Sequence, residues 1–286
     1  YDKLSFVLYS QGRVMGIDPG TQLYGLPLHQ QWDSMTIAHN TISVDAQRQS
    51  AGTGKLIDWH TGANWVAVTL DGGPVYKDVS LRRSILLTPN YCLIADRVHS
   101  STSHTVDWIY HNVGALTIER PQTSERLADL PSQNGYGHLS DVKRSSAGGE
   151  LRARFVDAPN RQPEDDSNPN SPAVTTRPAD AAGIEGPNTV LDPAVIELVM
   201  PASDHPEFMA GVAPGHDLKN PVPFVLARKL GDDVSFTAVL SPMSTIEVSG
   251  RDDYSDHELD IAGPDFSDHV SIGPTLSLSG DTSSER

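Results

Sequence analysis

Side chains able to do chemistry gather between Gly16 and Gln49, where Asp18, Tyr24, His29, Trp32 and His39 follow one another. Histidine and tyrosine exchange protons, and a tyrosine serves as a base only where nearby positive charge favours its ionised form. Tyr24 and His29 lie in a loop punctuated by Gly20, Gly25 and Pro27, which makes them candidates for residues of a cleft. Trp32 lies in the same open stretch, where an exposed indole would stack on a sugar ring. Asp18 and His39 read more modestly on their own. Asp18 before Pro19-Gly20 is a turn former, and His39, between Ile37-Ala38 and Asn40-Thr41, reads as a histidine held by backbone hydrogen bonds at a strand entrance. Their separation of 21 residues is no standard metal spacing.

Other polar residues carry weaker signals. Arg82 and Arg83 would offer positive charge to an anionic ligand, but on a strand at least one must point outward, so a solvated face is the default. His111-Asn112 ends a strand and reads as a buried, hydrogen-bonded histidine or as part of a cleft floor. Trp65 and Trp108 alternate into a core. Asp204-His205 and Asp256-His257 read as surface loops.

The elements that must position these residues are strands. Leu4, Phe6 and Leu8 alternate, and Trp65–Leu70, Leu81–Leu87, Tyr91–Val98 and Thr105–His111 continue the pattern. Pro223–Leu230 and Val234–Leu240 flank Gly231-Asp232-Asp233, which predicts a hairpin with three connecting residues. No stretch of ten or more residues carries a helical stripe. The chain is therefore expected to be all-β, an antiparallel β-sandwich spanning 1–286 as one domain. Residues 158–193 hold seven prolines among Asp, Asn, Ser and Ala and read as an exposed insertion from that sandwich. The last residues from Gly280 read as a frayed tail.

Composition narrows the class. With 286 residues, 37% of them hydrophobic, the chain has material for a large core. No run of about 18 apolar residues occurs, and no basic-then-apolar leader opens the chain. Cys92 is the only cysteine, so no internal disulfide forms. The net charge of -16 is uneven: residues 1–118 carry -1 and residues 119–286 carry -15. That balance argues against general nucleic-acid binding. Motifs of nucleotide hydrolases, serine esterases and zinc proteases are absent from the sequence. The chain enters a strand at Tyr1 without an initiator methionine, which reads as a piece of something longer.

Asp18-Pro19-Gly20-Thr21, Tyr24-Gly25, Thr36-Ile37-Ala38-His39-Asn40-Thr41 and Val44-Asp45 together resemble the C-terminal β-sandwich of heparinase II/III-type polysaccharide lyases. Tyr1–Phe6, Leu93–Val98, Asp107–Asn112 and the strands before Pro242 fit the same family. The resemblance implies an α/α toroid upstream, with this sandwich closing one side of the active-site cleft. It implies zinc, held by Asp18, by His39 and by a histidine expected immediately before Tyr1. It gives Tyr24 a catalytic role beside the substrate and, less firmly, His29, and it places His111 on a strand matching the family's that would reach the substrate; Trp32 is a substrate-binding candidate from its loop position alone.

Such a lyase removes the C5 proton of a uronic acid, next to the carboxylate, and expels the O4 oxygen of the neighbouring sugar. Three roles follow: neutralising the carboxylate, accepting the proton and protonating the leaving oxygen. The expected partners are an alginate- or glycosaminoglycan-like acidic polysaccharide and the toroid, with no nucleic acid and no membrane span. The principal base would lie upstream, so the fragment alone would be inert. Substrate logic places the protein in the periplasm or outside the cell. The rival reading is a non-catalytic carbohydrate-binding or structural sandwich.

Overall fold

The computed structural model describes residues 1–19, 25–119, 125–127, 130–145, 149–158, 192–202, 207–216, 219–243, 245–250, 257–273 and 276–280. Its strands are β1 (Leu8–Ser10), β2 (Arg13–Gly16), β3 (Ile42–Val44), β4 (Lys55–Thr61), β5 (Val66–Asp71), β6 (Val79–Leu87), β7 (Cys92–His111), β8 (Ala115–Glu119) and β9 (Glu125–Leu127). They continue as β10 (Ser140–Ser145), β11 (Leu151–Asp157), β12 (Ala194–Met200), β13 (Glu207–Ala213), β14 (Val222–Ser241), β15 (Glu247–Gly250), β16 (His257–Gly263), β17 (Phe266–Ile272) and β18 (Leu276–Gly280). Between these strands every pairing is antiparallel.

The organising element is the ribbon of β7 and β14, each 20 residues long and paired with the other from Phe224↔His111 to Leu240↔Cys92. Both strands change outer partners half-way. Cys92–Ser100 pairs with β6, whereas Val106–Trp108 pairs with β3. Val222–Arg228 pairs with β13, whereas Val239–Ser241 pairs with β12. One continuous ribbon therefore belongs to two layers. Their inner faces meet in a shared core of Ile94, Phe236, Ile196 and Phe155 from one layer with Ile42, Trp108, Tyr110 and Val225 from the other. The Tyr110 and Phe155 rings make an edge contact across it at 5.7 Å.

Both outer faces are covered as well. The sheet β15-β16-β17-β18 buries Leu259, Ile261 and Val270 against Leu93, Ala95 and Val239. On the other side, Trp32, Ile37 and Tyr136 cover Ile109, Phe224 and Leu226. Strand parity explains the division: Trp108 and Tyr110 point inward, so Asp107, Ile109 and His111 point to the covered outer face. Among the described residues, helical structure is limited to short turns at His29–Asp33, Thr36–Ala38 and Tyr136–His138.

The all-β sandwich matches the sequence, but several local expectations do not survive. Pro223–Leu240 is not a hairpin. Both of its halves keep pairing with β7 in one direction, and Gly231–Asp233 mark a register shift at the bend between layers. Tyr91–Val98 and Thr105–His111 are likewise parts of one strand. Of Leu4, Phe6 and Leu8, only Leu8 lies in a strand, and Leu4 has φ +68°. Arg83 is fully buried rather than solvated, because it points to the inside of β6 and meets Asp96 there. The proline-rich segment falls mainly on 159–191, outside the described residues; the strands on its two sides pair with each other at Asp157↔Ala194. The tail from 281 is also outside the described residues.

Candidate functional site

The loop covering the outer face of β7 and β14 brings two distant residues into contact. His39 Nδ1 lies 2.7 Å from Asp18 Oδ2. The His39 side chain is almost enclosed, whereas Asp18 is 39% exposed, so the pair faces outward through the carboxylate. The second ring nitrogen of His39, Nε2, sits 3.0 Å from the Asp33 carbonyl oxygen. A carbonyl only accepts, so Nε2 carries a hydrogen and donates it. That leaves Nδ1 as the atom facing Asp18.

His29 stands one helical turn before Asp33, and its Nδ1 is 3.4 Å from the Asp33 carboxylate. Asp33 is buried and links the two histidines: its side chain faces His29 and its carbonyl holds His39. The sequence reading passed over Asp33. Its signal is the spacing His29–Asp33, which puts both side chains on one face of a single turn. The short turn runs on through Thr36–Ala38 to deliver His39 in extended conformation, φ -111° and ψ 158°.

His111 lies beneath this pair and is fully buried. Its Nδ1 is 3.3 Å from Asn40 Oδ1, its ring makes an edge contact with Trp32 at 6.0 Å, and Nε2 meets no polar partner. Burial, reinforced by the charge of His39 and opposed by Asp18, pushes its pKa down to about 3. It is a neutral imidazole at ordinary pH.

The structure brings together Asp18, His29, His39 and His111, corrects the expectation for Trp32, and for His111 bears out the buried, hydrogen-bonded alternative instead of the cleft-floor one. Trp32 is 1% exposed rather than open, because its ring packs on Ile109 and Phe224 and its Nε1 donates to the Pro214 carbonyl at 3.1 Å. His111 has no face toward solvent either. Neither presents a surface to a sugar in this conformation. Tyr24 lies outside the described residues.

Asp18 also lines a cavity of about 390 Å³ with Val7, Val14, Val113, His216 and Asn220. His216 and Asn220 come from the loop that the Trp32–Pro214 bond anchors. Sequence reading missed them because they lie about 200 residues from Asp18 in a Gly/Pro-rich stretch with no motif. A second cavity of about 440 Å³ lies under β8 and β10, and none of the candidate residues lines it.

Zinc takes carboxylate and imidazole donors, and a ligating histidine usually donates its other ring N–H to a carbonyl or carboxylate. Asp18, His39 and the Asp33 carbonyl fit that arrangement as two ligands and one support. Among the described residues no group of three His, Cys, Asp or Glu side chains gathers to complete it. The start of the chain lies close by: burial raises the Asp2 pKa, but the N-terminal charge and His39 outweigh it and hold the carboxyl below its usual range.

The sequence profile described as heparinase II/III-like, C-terminal matches residues 1–177, which is more than half of the chain. The chain belongs to this family. No curated protein matches it in sequence. Solved structures share the family's fold: heparan sulfate lyase HepC from Pedobacter heparinus superposes with a TM-score of 0.52 at 15% identity, over 98% of this chain and 36% of that one. A heparinase III, the BT4657 gene product, gives 0.52 at 14% identity over 95% and 36%. The heparinase II/III-like chain thus spans about a third of the length of these relatives. No helix among the described residues is long and apolar enough to cross a membrane.

Proposed function

We propose that this heparinase II/III-like domain forms one wall of the cleft of a lyase that cuts uronic-acid-containing polysaccharides of the glycosaminoglycan type by β-elimination. A helical toroid upstream would supply the other wall and the principal base. The observation that carries the reading is the Asp18–His39 contact at 2.7 Å in a chain of this family. The names of the structural relatives favour a heparan-type substrate over alginate.

In this reading Asp18 and His39 hold zinc with a histidine preceding Tyr1, and the zinc supplies a fixed cross-link that braces the loop. Asp33 keeps the His39 ring oriented through its carbonyl. Tyr24 and His29, between the two ligands, face the substrate and take part in moving the C5 proton and the proton for the leaving O4 oxygen. Trp32 and His111, both buried, support the loop from below instead of touching sugar. The cavity beside Asp18 gives His216 and Asn220 a place to contact the polymer. Polymers of this kind are met outside the cytoplasm, which fits a periplasmic or secreted protein.

The test is to follow the ultraviolet absorbance of unsaturated uronate when the full-length gene product meets heparan sulfate, chondroitin sulfate or alginate. Product formation that needs bound zinc, and that drops at least about tenfold in Asp18→Asn, is the expected result. Binding of glycans without any unsaturated product overturns it in favour of a non-catalytic module.

A further inference from the structure

Asn40 follows His39 directly and is completely buried. Its Nδ2 donates to the Phe6 carbonyl and to the Ile17 carbonyl, each at 3.0 Å. Its Oδ1 accepts the His111 backbone N–H at 2.8 Å, with His111 Nδ1 at 3.3 Å, and its own carbonyl accepts Arg83 Nη1 at 2.7 Å. Phe6 belongs to the opening segment, Ile17 precedes Asp18, and His111 lies on β7. One side-chain amide thus joins the opening segment, the Asp18 turn, the His39 loop and the sheet below them.

The chemistry suits an amide and little else. Two carbonyls must be met by donors and one N–H by an acceptor, from a single short side chain. A carboxylate would face both carbonyls with negative charge, and an apolar group would take this partner from two part-buried carbonyls and one buried N–H. Residues 1–7 lie in no strand, so side-chain donors fix their path. Thr36 Oγ1 donates to the Tyr1 carbonyl at 2.7 Å, and Thr41 Oγ1 donates to the Lys3 carbonyl at 2.6 Å.

We infer that Asn40 is the positioning residue of the Asp18–His39 pair, setting the distance between the two ligands and the approach of the segment that enters from upstream. The inference rests on the zinc reading above. Removal of its amide takes away the donor that fixes the Ile17 carbonyl and leaves the Asp18 turn on a single tether, the Ile17 N–H donated to the His111 carbonyl at 3.1 Å, while His39 stays held by Asp33.

The experiment measures zinc affinity by competition with a chromogenic chelator, in the full-length gene product and its Asn40→Ala variant, alongside thermal melting. Val270→Ala, in the C-terminal sheet, serves as a destabilised control because its buried side chain packs far along the chain from the pair. Asn40→Ala is expected to bind zinc roughly 10- to 100-fold more weakly, the usual range for an outer-shell partner, while Val270→Ala melts earlier with parental affinity. Should Asn40→Ala fail to fold, Asn40→Ser takes its place with the same readout. Parental affinity in a folded Asn40 variant overturns the inference and leaves the zinc reading intact. Loss of affinity equal to that of the control also overturns it. If the parent protein binds no zinc, both fall together.

Discussion

At the scale of single residues, arginines hold buried carboxylates in place. Arg83 holds Asp96 with two bonds of 2.7 Å, both side chains essentially unexposed, and Arg228 holds Asp107 at 2.6 and 2.7 Å while Tyr136 donates to the same carboxylate. Breaking a buried pair from one side leaves a charge without compensation, which typically costs about 3–5 kcal/mol. Asp96→Ala should therefore lower stability by about that amount in urea titrations, and Arg83→Met combined with Asp96→Leu should lose less than Asp96→Ala alone. His111 gives a pH dependence of known sign. Burial lowers its pKa to about 3, against 6.5 for an ordinary histidine, so below pH 6.5 the unfolded chain binds a proton that the folded chain refuses. Its contribution to stability is complete above pH 6.5 and declines as pH falls toward 3. His111→Gln should flatten the acid limb of stability measured between those values; an unchanged slope counts against a neutral buried imidazole. Residue identity and neighbouring text were enough to single out Asp18 and His39. Direction was not: Trp32 and Arg83 read as outward because a loop position or a strand pair does not say which face will be covered.

Elements show where local patterning stops being informative. Gly231-Asp232-Asp233 has the composition of a turn, yet the chain passes through it in one direction because β7 bends alongside and keeps the pairing. Turn residues signal a change of direction without fixing how large it is. The covering loop was legible as a loop, but its two short helical turns follow from docking onto Ile109 and Phe224, a contact between distant stretches. β13 carries its own constraint. A Cβ on Gly211 would stand 2.5 Å from the Ser140 carbonyl oxygen and 3.1 Å from the Phe224 ring. Gly211→Val should destabilise by about 1–3 kcal/mol, as overpacked interiors do, measurable by denaturant midpoint. A variant as stable as the parent would show that β10 can move away freely.

For the molecule as a whole, charge and burial set the outward behaviour. A domain of net charge -16 repels a polyanion at long range, so its own attraction to acidic glycans must be short-range. The isolated chain should pass through an immobilised heparin column at low salt, where a basic glycan-binding module would be retained; retention released by salt would contradict this. Cys92 reports on the fold globally. Burial, only partly offset by Arg83, pushes its thiol up to about 12, and the side chain lies in the core between the layers. Alkylation at pH 8 should follow global unfolding and ignore local opening, and rapid labelling of the native chain would refute that.

The unequal anchoring of the two ends of this architecture has a mechanical meaning. The opening segment is fastened by separate side-chain bonds from Thr36, Thr41, Asn40 and Arg83, while β7 and β14 are fastened by a long ladder. Tension applied at Tyr1 would meet those fasteners one after another, as in peeling tape, and each would yield at low force before the next took the load. Tension along the ribbon would load many bonds side by side, in shear. Traction from upstream would therefore lift the strip lying against the Asp18–His39 pair while leaving the sandwich behind it closed.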